Sequence, residues 1–186
     1  RLGQPDRHHP LGVVRAVEVA LAAEMGVVVQ LRALPLGEAR ELVDVVDRSG
    51  KIFVLTHNYT GYPMVKEARK LVQDGQLGKI RKIVVEYPQG WLSEALELTD
   101  HVQASWRNDP SKSGKTCCVG DIGTHAFNLA EYVTGLKAVQ LLADISTHVP
   151  GRKLDDDANM LLQFDNGARG VLYASQISAG EENAVR

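Results

Sequence analysis

Asp121 and His125 stand four residues apart in the run Gly120-Asp121-Ile122-Gly123-Thr124-His125-Ala126-Phe127-Asn128. On a helix that spacing stacks one side chain over the other, within hydrogen-bond reach. A carboxylate beside an imidazole favours the charged ring, raises its pKa and fixes which ring nitrogen carries the proton. Such a pair suits general acid–base chemistry near neutral pH. The plainer alternative is a surface ion pair worth about 0.2–0.5 kcal/mol, and spacing alone leaves both open.

The element that must carry the pair reads as one amphipathic helix from Gly120 to Thr134. Ile122, Ala126, Leu129, Ala130 and Val133 repeat at helical period and form an apolar stripe. Asp121, His125, Asn128 and Tyr132 form a polar stripe beside it, and Gly135 supplies a left-handed end.

Cys117 and Cys118, the only cysteines, are adjacent. Neighbouring cysteines bridge one another only with strain, and two vicinal sulfurs lack the usual zinc-ligand spacing. They read as small, half-buried loop residues in a reducing, cytoplasmic compartment. No three or four ligands fall at usable spacing, so no metal site is expected and a metal-dependent hydrolase ranks last. The formal net charge of −2, without a Lys/Arg block, argues against nucleic acid or an anionic membrane as partner. No apolar run approaches the roughly 20 residues that span a bilayer. The first residues show neither an initiator Met nor a signal-peptide pattern, as expected of an internal piece.

The first third alternates helix and strand. Helices are expected over 11–24 and from Pro35 to Arg48, the latter with Leu42, Val45 and Val46 inward. Strands are expected at 27–31 and from Lys51 to Thr56. This is the rhythm of a parallel α/β layer. The polar-aromatic loop His57-Asn58-Tyr59-Thr60-Gly61-Tyr62-Pro63 follows the second strand, where open α/β sheets bind ligands. It is a candidate site wall, with a simple turn as the even alternative. A helix from Met64 to Gln73 then links to a second region.

That region reads as a mainly antiparallel sheet with a helix packed on it. Strands are expected from Ile80 to Tyr87, Val139 to His148, Ala158 to Phe164 and Ala168 to Ser175. Asn166-Gly167 between the last two is a strong hairpin signal. Trp106 to Lys115 reads as an irregular charged loop feeding the Asp/His helix. Within it Arg107 can fork onto a carboxylate or a polyol, and Lys115 lies just upstream of the helix.

Several stretches resemble the Gfo/Idh/MocA oxidoreductases, the relatives of glucose–fructose oxidoreductase and inositol dehydrogenase. They are His57 to Val65, Gln76-Leu77-Gly78-Lys79-Ile80, Trp106-Arg107 and, most specifically, Gly120-Asp121-Ile122-Gly123-Thr124-His125. The resemblance implies a partial Rossmann domain followed by an open sheet that bears the substrate and often assembles oligomers. The expected division is 1–60 for the nucleotide-binding remnant and 61–186 for the substrate and oligomerisation part. It implies NAD or NADP as cofactor and a sugar or polyol as substrate, with hydride passing between a carbinol carbon and nicotinamide. His125 would be the acid/base and Asp121 would orient or bind substrate. Asn58, Tyr59, Trp106, Arg107 and Lys115 would touch substrate.

The chain departs from the family pattern at the cofactor. No G-x-G-x-x-G follows a strand, so the phosphate-cradling turn is absent from this sequence. Where the family has Glu-Lys-Pro, this chain has Gln30-Leu31-Arg32-Ala33-Leu34-Pro35. His8-His9-Pro10 resembles the family's loop near the cofactor. His9, Gln30 and Arg32 are therefore the expected cofactor contacts, and a homo-oligomer is expected. The second reading is a non-catalytic paralogue that binds or assembles through its sheet.

Overall fold

A computed structural model describes residues 36–55 and 57–186. The expected elements at 11–24 and 27–31, and the residues His9, Gln30 and Arg32, lie outside the described residues. The first described helix, α1 (Leu36–Ser49), matches the expectation, with Leu42 buried.

Lys51–Leu55 does not form the expected strand: it is exposed coil, with Ile52, Val54 and Leu55 largely in solvent. An apolar run becomes a strand only where a neighbouring strand takes up its backbone groups, and among the described residues none pairs with it.

After a 3-10 turn at Asn58–Gly61, α2 (Pro63–Gln73) begins on Pro63, whose missing N–H costs nothing in a first helical turn. The strands β1 (Lys82–Pro88), β2 (Ala138–Ser146), β3 (Asp157–Phe164), β4 (Arg169–Ser175) and β5 (Ala184–Val185) form one sheet in the order β2-β3-β4-β1-β5. β1 runs parallel to β4 and every other pairing is antiparallel. The hairpin forms where Asn166-Gly167 predicts it, with Gly167 at φ 86°.

Between β1 and β2 lie α3 (Val102–Arg107), the short α4 (Pro110–Ser113) and α5 (Thr124–Thr134). The charged segment 106–115 is thus built from helical turns rather than irregular loop. His101 Nδ1 accepts from Ala104 N to cap α3, and Asp109 accepts from Ser111 N to cap α4.

α5 packs against β1, β4 and α2. All five residues of the expected apolar stripe are buried, four on α5 and Ile122 in the turn before it. Ile122, Ala126 and Ala130 enter one core with Ile83, Val85, Leu162, Phe164, Leu172 and Ala174. Period-2 burial in β1 and β4 supplies the sheet side of that core. Gly170 is needed there, since a Cβ would stand 2.8 Å from the Phe164 ring. Gly135 closes α5 at φ 72°, donating to Glu131 O. The fold is therefore mixed α/β, with the expected open sheet and packed helix. No helix among the described residues is long and apolar enough to cross a membrane.

Candidate active site

The Asp/His segment is not one continuous α-helix. A single π-type turn, Val119–Gly123, precedes α5 and carries Asp121, while His125 lies in the first turn of α5. Such turns widen the helix locally and recur at functional sites. The turn is anchored from the strand side: Asp155 accepts from Cys117 N and Val119 N, both at 2.8 Å. Cys117 and Cys118 are fully buried free thiols, not half-buried loop residues. Burial pushes Cys117 up to about 12 and Cys118 higher still, so both are inert thiols at neutral pH.

The Asp121 carboxylate faces the α3 side and makes no hydrogen bond to His125. Its Oδ2 accepts from Arg107 Nε at 3.0 Å and from Gln176 Nε2 at 2.9 Å. Arg107 in turn lies over the Trp106 ring at 4.2 Å and within 5.8 Å of Trp91, and it also donates to Gln103. Trp106 Nε1 donates to Gln103 Oε1. Arg107 is thus drawn onto a carboxylate, one of its two expected partners.

His125 packs edge-on against Tyr59 (centroids 5.0 Å) and His57 (5.4 Å). The Tyr59 and Tyr87 hydroxyls are hydrogen-bonded, and burial together with that bond pushes Tyr87 well above the ordinary phenol value. The expectation that Asp121 raises the His125 pKa is overturned. Burial lowers it, the neighbouring His57 lowers it further, and the Asp121 charge opposes both without prevailing. Burial likewise lowers His57. His57 Nδ1, His125 Nδ1 and Asn128 Oδ1 are buried polar atoms with no partner among the described residues.

The described residues therefore bring His125, Tyr59 and Asp121 with Arg107 and Trp106 into one region bounded by the 57–62 loop, α3 and the start of α5. Asn58 is exposed in the 3-10 turn, and Lys115 is exposed ahead of the buried cysteines. Tyr87, Trp91 and Gln176 escaped the sequence reading as site residues, and His57 entered it only as part of the candidate loop. His57 had a signal, as the first polar residue of the candidate loop. Tyr87 and Gln176 sit at or just past the C-terminal ends of the parallel strands β1 and β4, where a polar residue after an apolar strand is worth noting.

The profile of the GFO/IDH/MocA C-terminal domain matches residues 65–186. An uncharacterized oxidoreductase, YfiI, of Bacillus subtilis is 30% identical over 147 residues, covering 77% of this chain and 37% of its own length. Levoglucosan dehydrogenase of Pseudarthrobacter phenanthrenivorans is 27% identical over 172 residues, covering 80% of this chain and 42% of its own length. An inositol dehydrogenase homologue from Azotobacter vinelandii, solved in complex with NAD+, superimposes with a TM-score of 0.82 at 27% identity, over 96% of this chain and 46% of the other. The chain spans less than half the length of these relatives. With the glycine-led Asp/His turn seated on the open five-stranded sheet, the match across residues 65–186 shows that this chain belongs to the GFO/IDH/MocA family of oxidoreductases.

Proposed function

We propose that this chain forms the substrate side of an NAD(P)-dependent sugar or polyol dehydrogenase, with His125 as acid/base and Asp121 as the orienting carboxylate. The observation that carries this reading is a half-buried imidazole with a lowered pKa near a carboxylate already fixed by two donors. A base must be neutral to take a proton, and burial keeps His125 neutral at neutral pH. A substrate hydroxyl passes its proton to the His125 imidazole, while Asp121 accepts from a neighbouring hydroxyl. A nicotinamide held by the nucleotide side would supply the acceptor for the hydride of the same carbinol carbon.

His57 Nδ1 and His125 Nδ1, without partners among the described residues, fit a ligand rich in hydroxyls, which both donate and accept. Tyr59, Trp106 and Arg107 are proposed as further walls, Asn58 and Lys115 as outer contacts, and His9, Gln30 and Arg32 as contacts to the nicotinamide half. The pyrophosphate cradle is assigned to none of the described residues. Residues 1–60 are proposed as nucleotide-side and 61–186 as substrate and assembly side, in a cytoplasmic homo-oligomer. The similarity to a levoglucosan dehydrogenase and to an inositol dehydrogenase homologue favours a cyclic polyol or anhydrosugar.

The test is polyol-dependent reduction of NAD+ and NADP+ by the full-length protein, followed against pH. We expect oxidation whose acid limb lies below the ordinary imidazole value of about 6.5, and His125→Ala to lose roughly 100- to 10,000-fold in kcat/KM. Unchanged turnover in His125→Ala refutes the assignment.

A further inference from the structure

Gln176, just beyond β4, is entirely buried. Its amide bridges two groups of the site. Nε2 donates to Asp121 Oδ2 at 2.9 Å, and Oε1 accepts from Cys117 Sγ at 3.2 Å. An ionised carboxylate only accepts, so the amide nitrogen must face Asp121 and the oxygen must face the sulfur. That oxygen then requires a proton on Cys117. The thiol keeps it, because burial and the charges of Asp121 and Asp155 hold its pKa near 12.

The ends of this chain of contacts are fixed as well. Cys117 N donates to Asp155 Oδ1, Gln176 N donates to Asp156 O at 2.9 Å, and Gln176 O accepts from Leu92 N at 2.9 Å. Arg107 grips Asp121 from the open side, where its side chain is 21% exposed. Gln176 grips it from the dry side. The partly exposed arginine supplies charge, and the buried amide supplies direction.

We propose that Gln176, with its amide polarity set by the Cys117 thiol, is the positioning residue that aims the Asp121 carboxylate at a substrate hydroxyl. The inference rests on the reading of Asp121 as the substrate-orienting group, and it adds two residues that act through Asp121 without touching substrate. Loss of the Nε2–Asp121 bond frees the carboxylate to rotate onto Arg107 alone. Loss of the thiol proton donor leaves Oε1 buried and unsatisfied and lets the amide turn over.

The experiment uses the full-length protein with Gln176→Leu, Gln176→Glu, Cys117→Ala, Cys117→Ser and Asp121→Asn. A hydrogen bond to a charged group justifies an expected rise of about 10-fold or more in polyol KM for Gln176→Leu, with NAD(P)H affinity unchanged. Cys117→Ala shows a smaller rise, and Cys117→Ser, which still donates, restores the parent value. Gln176→Glu keeps the shape but donates to Asp121 only while protonated, so its KM climbs with pH and it serves even if Gln176→Leu fails to fold. Independently of turnover, the infrared S–H band of Cys117, isolated in a Cys118→Ala background, moves to the unbonded frequency on Gln176→Leu substitution. A melting temperature that falls while polyol KM stays within about twofold, or an S–H band that does not move, overturns the proposal. Should Asp121→Asn leave polyol KM unchanged, both this proposal and the role given to Asp121 fall. A raised KM in Asp121→Asn with an unaffected Gln176→Leu overturns the positioning role alone.

Discussion

Arg152 holds the scaffold behind the candidate site, and its truncation has a magnitude that can be worked from the contacts. Its side chain is fully buried, and Nε and Nη2 donate to the two Glu97 carboxylate oxygens, each at 2.9 Å. Nη1 donates to Asp156 Oδ2 at 3.2 Å and Leu92 O at 2.9 Å, and Nη2 donates to Glu94 O at 3.0 Å. These bonds tie the 92–97 loop to the segment that presents Asp155 and Asp156, and Asp155 caps the turn bearing Asp121. Arg152→Met keeps much of the stem's volume but removes all five bonds. Asp156 is then left wholly buried, with only the backbone donors of His148 and Val149.

Removing one partner of a buried ion pair costs about 3–5 kcal/mol. Glu97 remains 11% exposed and can turn to water, so the lower end, about 3 kcal/mol, is expected. For a chain of this size that corresponds to a melting temperature lower by roughly 6–12 °C. Burial works to raise the Glu97 pKa, but the Arg152 bonds outweigh it and hold the carboxyl below its ordinary value. A depressed folded value means this stabilisation is present above the unfolded value of about 4.3 and is lost as pH falls through the folded one. The gap between parent and variant therefore narrows below about pH 4. Urea unfolding across pH, with a Glu97→Gln/Arg152→Met double-mutant cycle, measures both quantities. A loss below about 1 kcal/mol, or a gap that does not narrow on acidification, refutes the reasoning.

Two further outcomes are expected. The thiols of Cys117 and Cys118 are raised by burial, so their contribution is complete below the ordinary thiol value and is lost as pH rises toward the folded values, which for Cys117 lie near 12. Unfolding free energy should therefore fall from about pH 9 upward by up to about 1.4 kcal/mol per pH unit per titrating thiol, and Cys117→Ala with Cys118→Ala should flatten the slope; an unchanged slope contradicts the burial argument. Separately, Val139, Leu141, Leu142 and Ile145 on β2 and Leu161 on β3 are exposed along the open sheet, a surface proposed to receive a second copy of the chain. Leu142→Lys with Leu161→Lys should shift sedimentation toward monomer at unchanged melting temperature, whereas an unaltered oligomer sends the interface elsewhere.

How far the sequence could be read depends on which interactions each feature needs. The α5 stripe, the Gly135 end and the Asn166-Gly167 hairpin rest on local periodicity and local φ preference, and all three are legible residue by residue. Lys51–Leu55 was not legible, because an apolar run states a preference for burial without naming its neighbour. The Asp121–His125 spacing misled for a related reason. Four-residue stacking presumes an unbroken α-helix, and the π-type turn at Val119–Gly123 shifts Asp121 toward groups 14 and 55 residues away.

Those two partners explain why the sign of the histidine's pKa shift could not be read from spacing. Once Arg107 and Gln176 take the carboxylate, His125 keeps only a screened share of its charge. Burial against Tyr59 and the neighbouring imidazole of His57 then decide the outcome. A base kept neutral by burial suits proton abstraction better than one held protonated by a direct carboxylate bond. The long-range contacts that the spacing could not show therefore favour the protonation state the proposed chemistry requires.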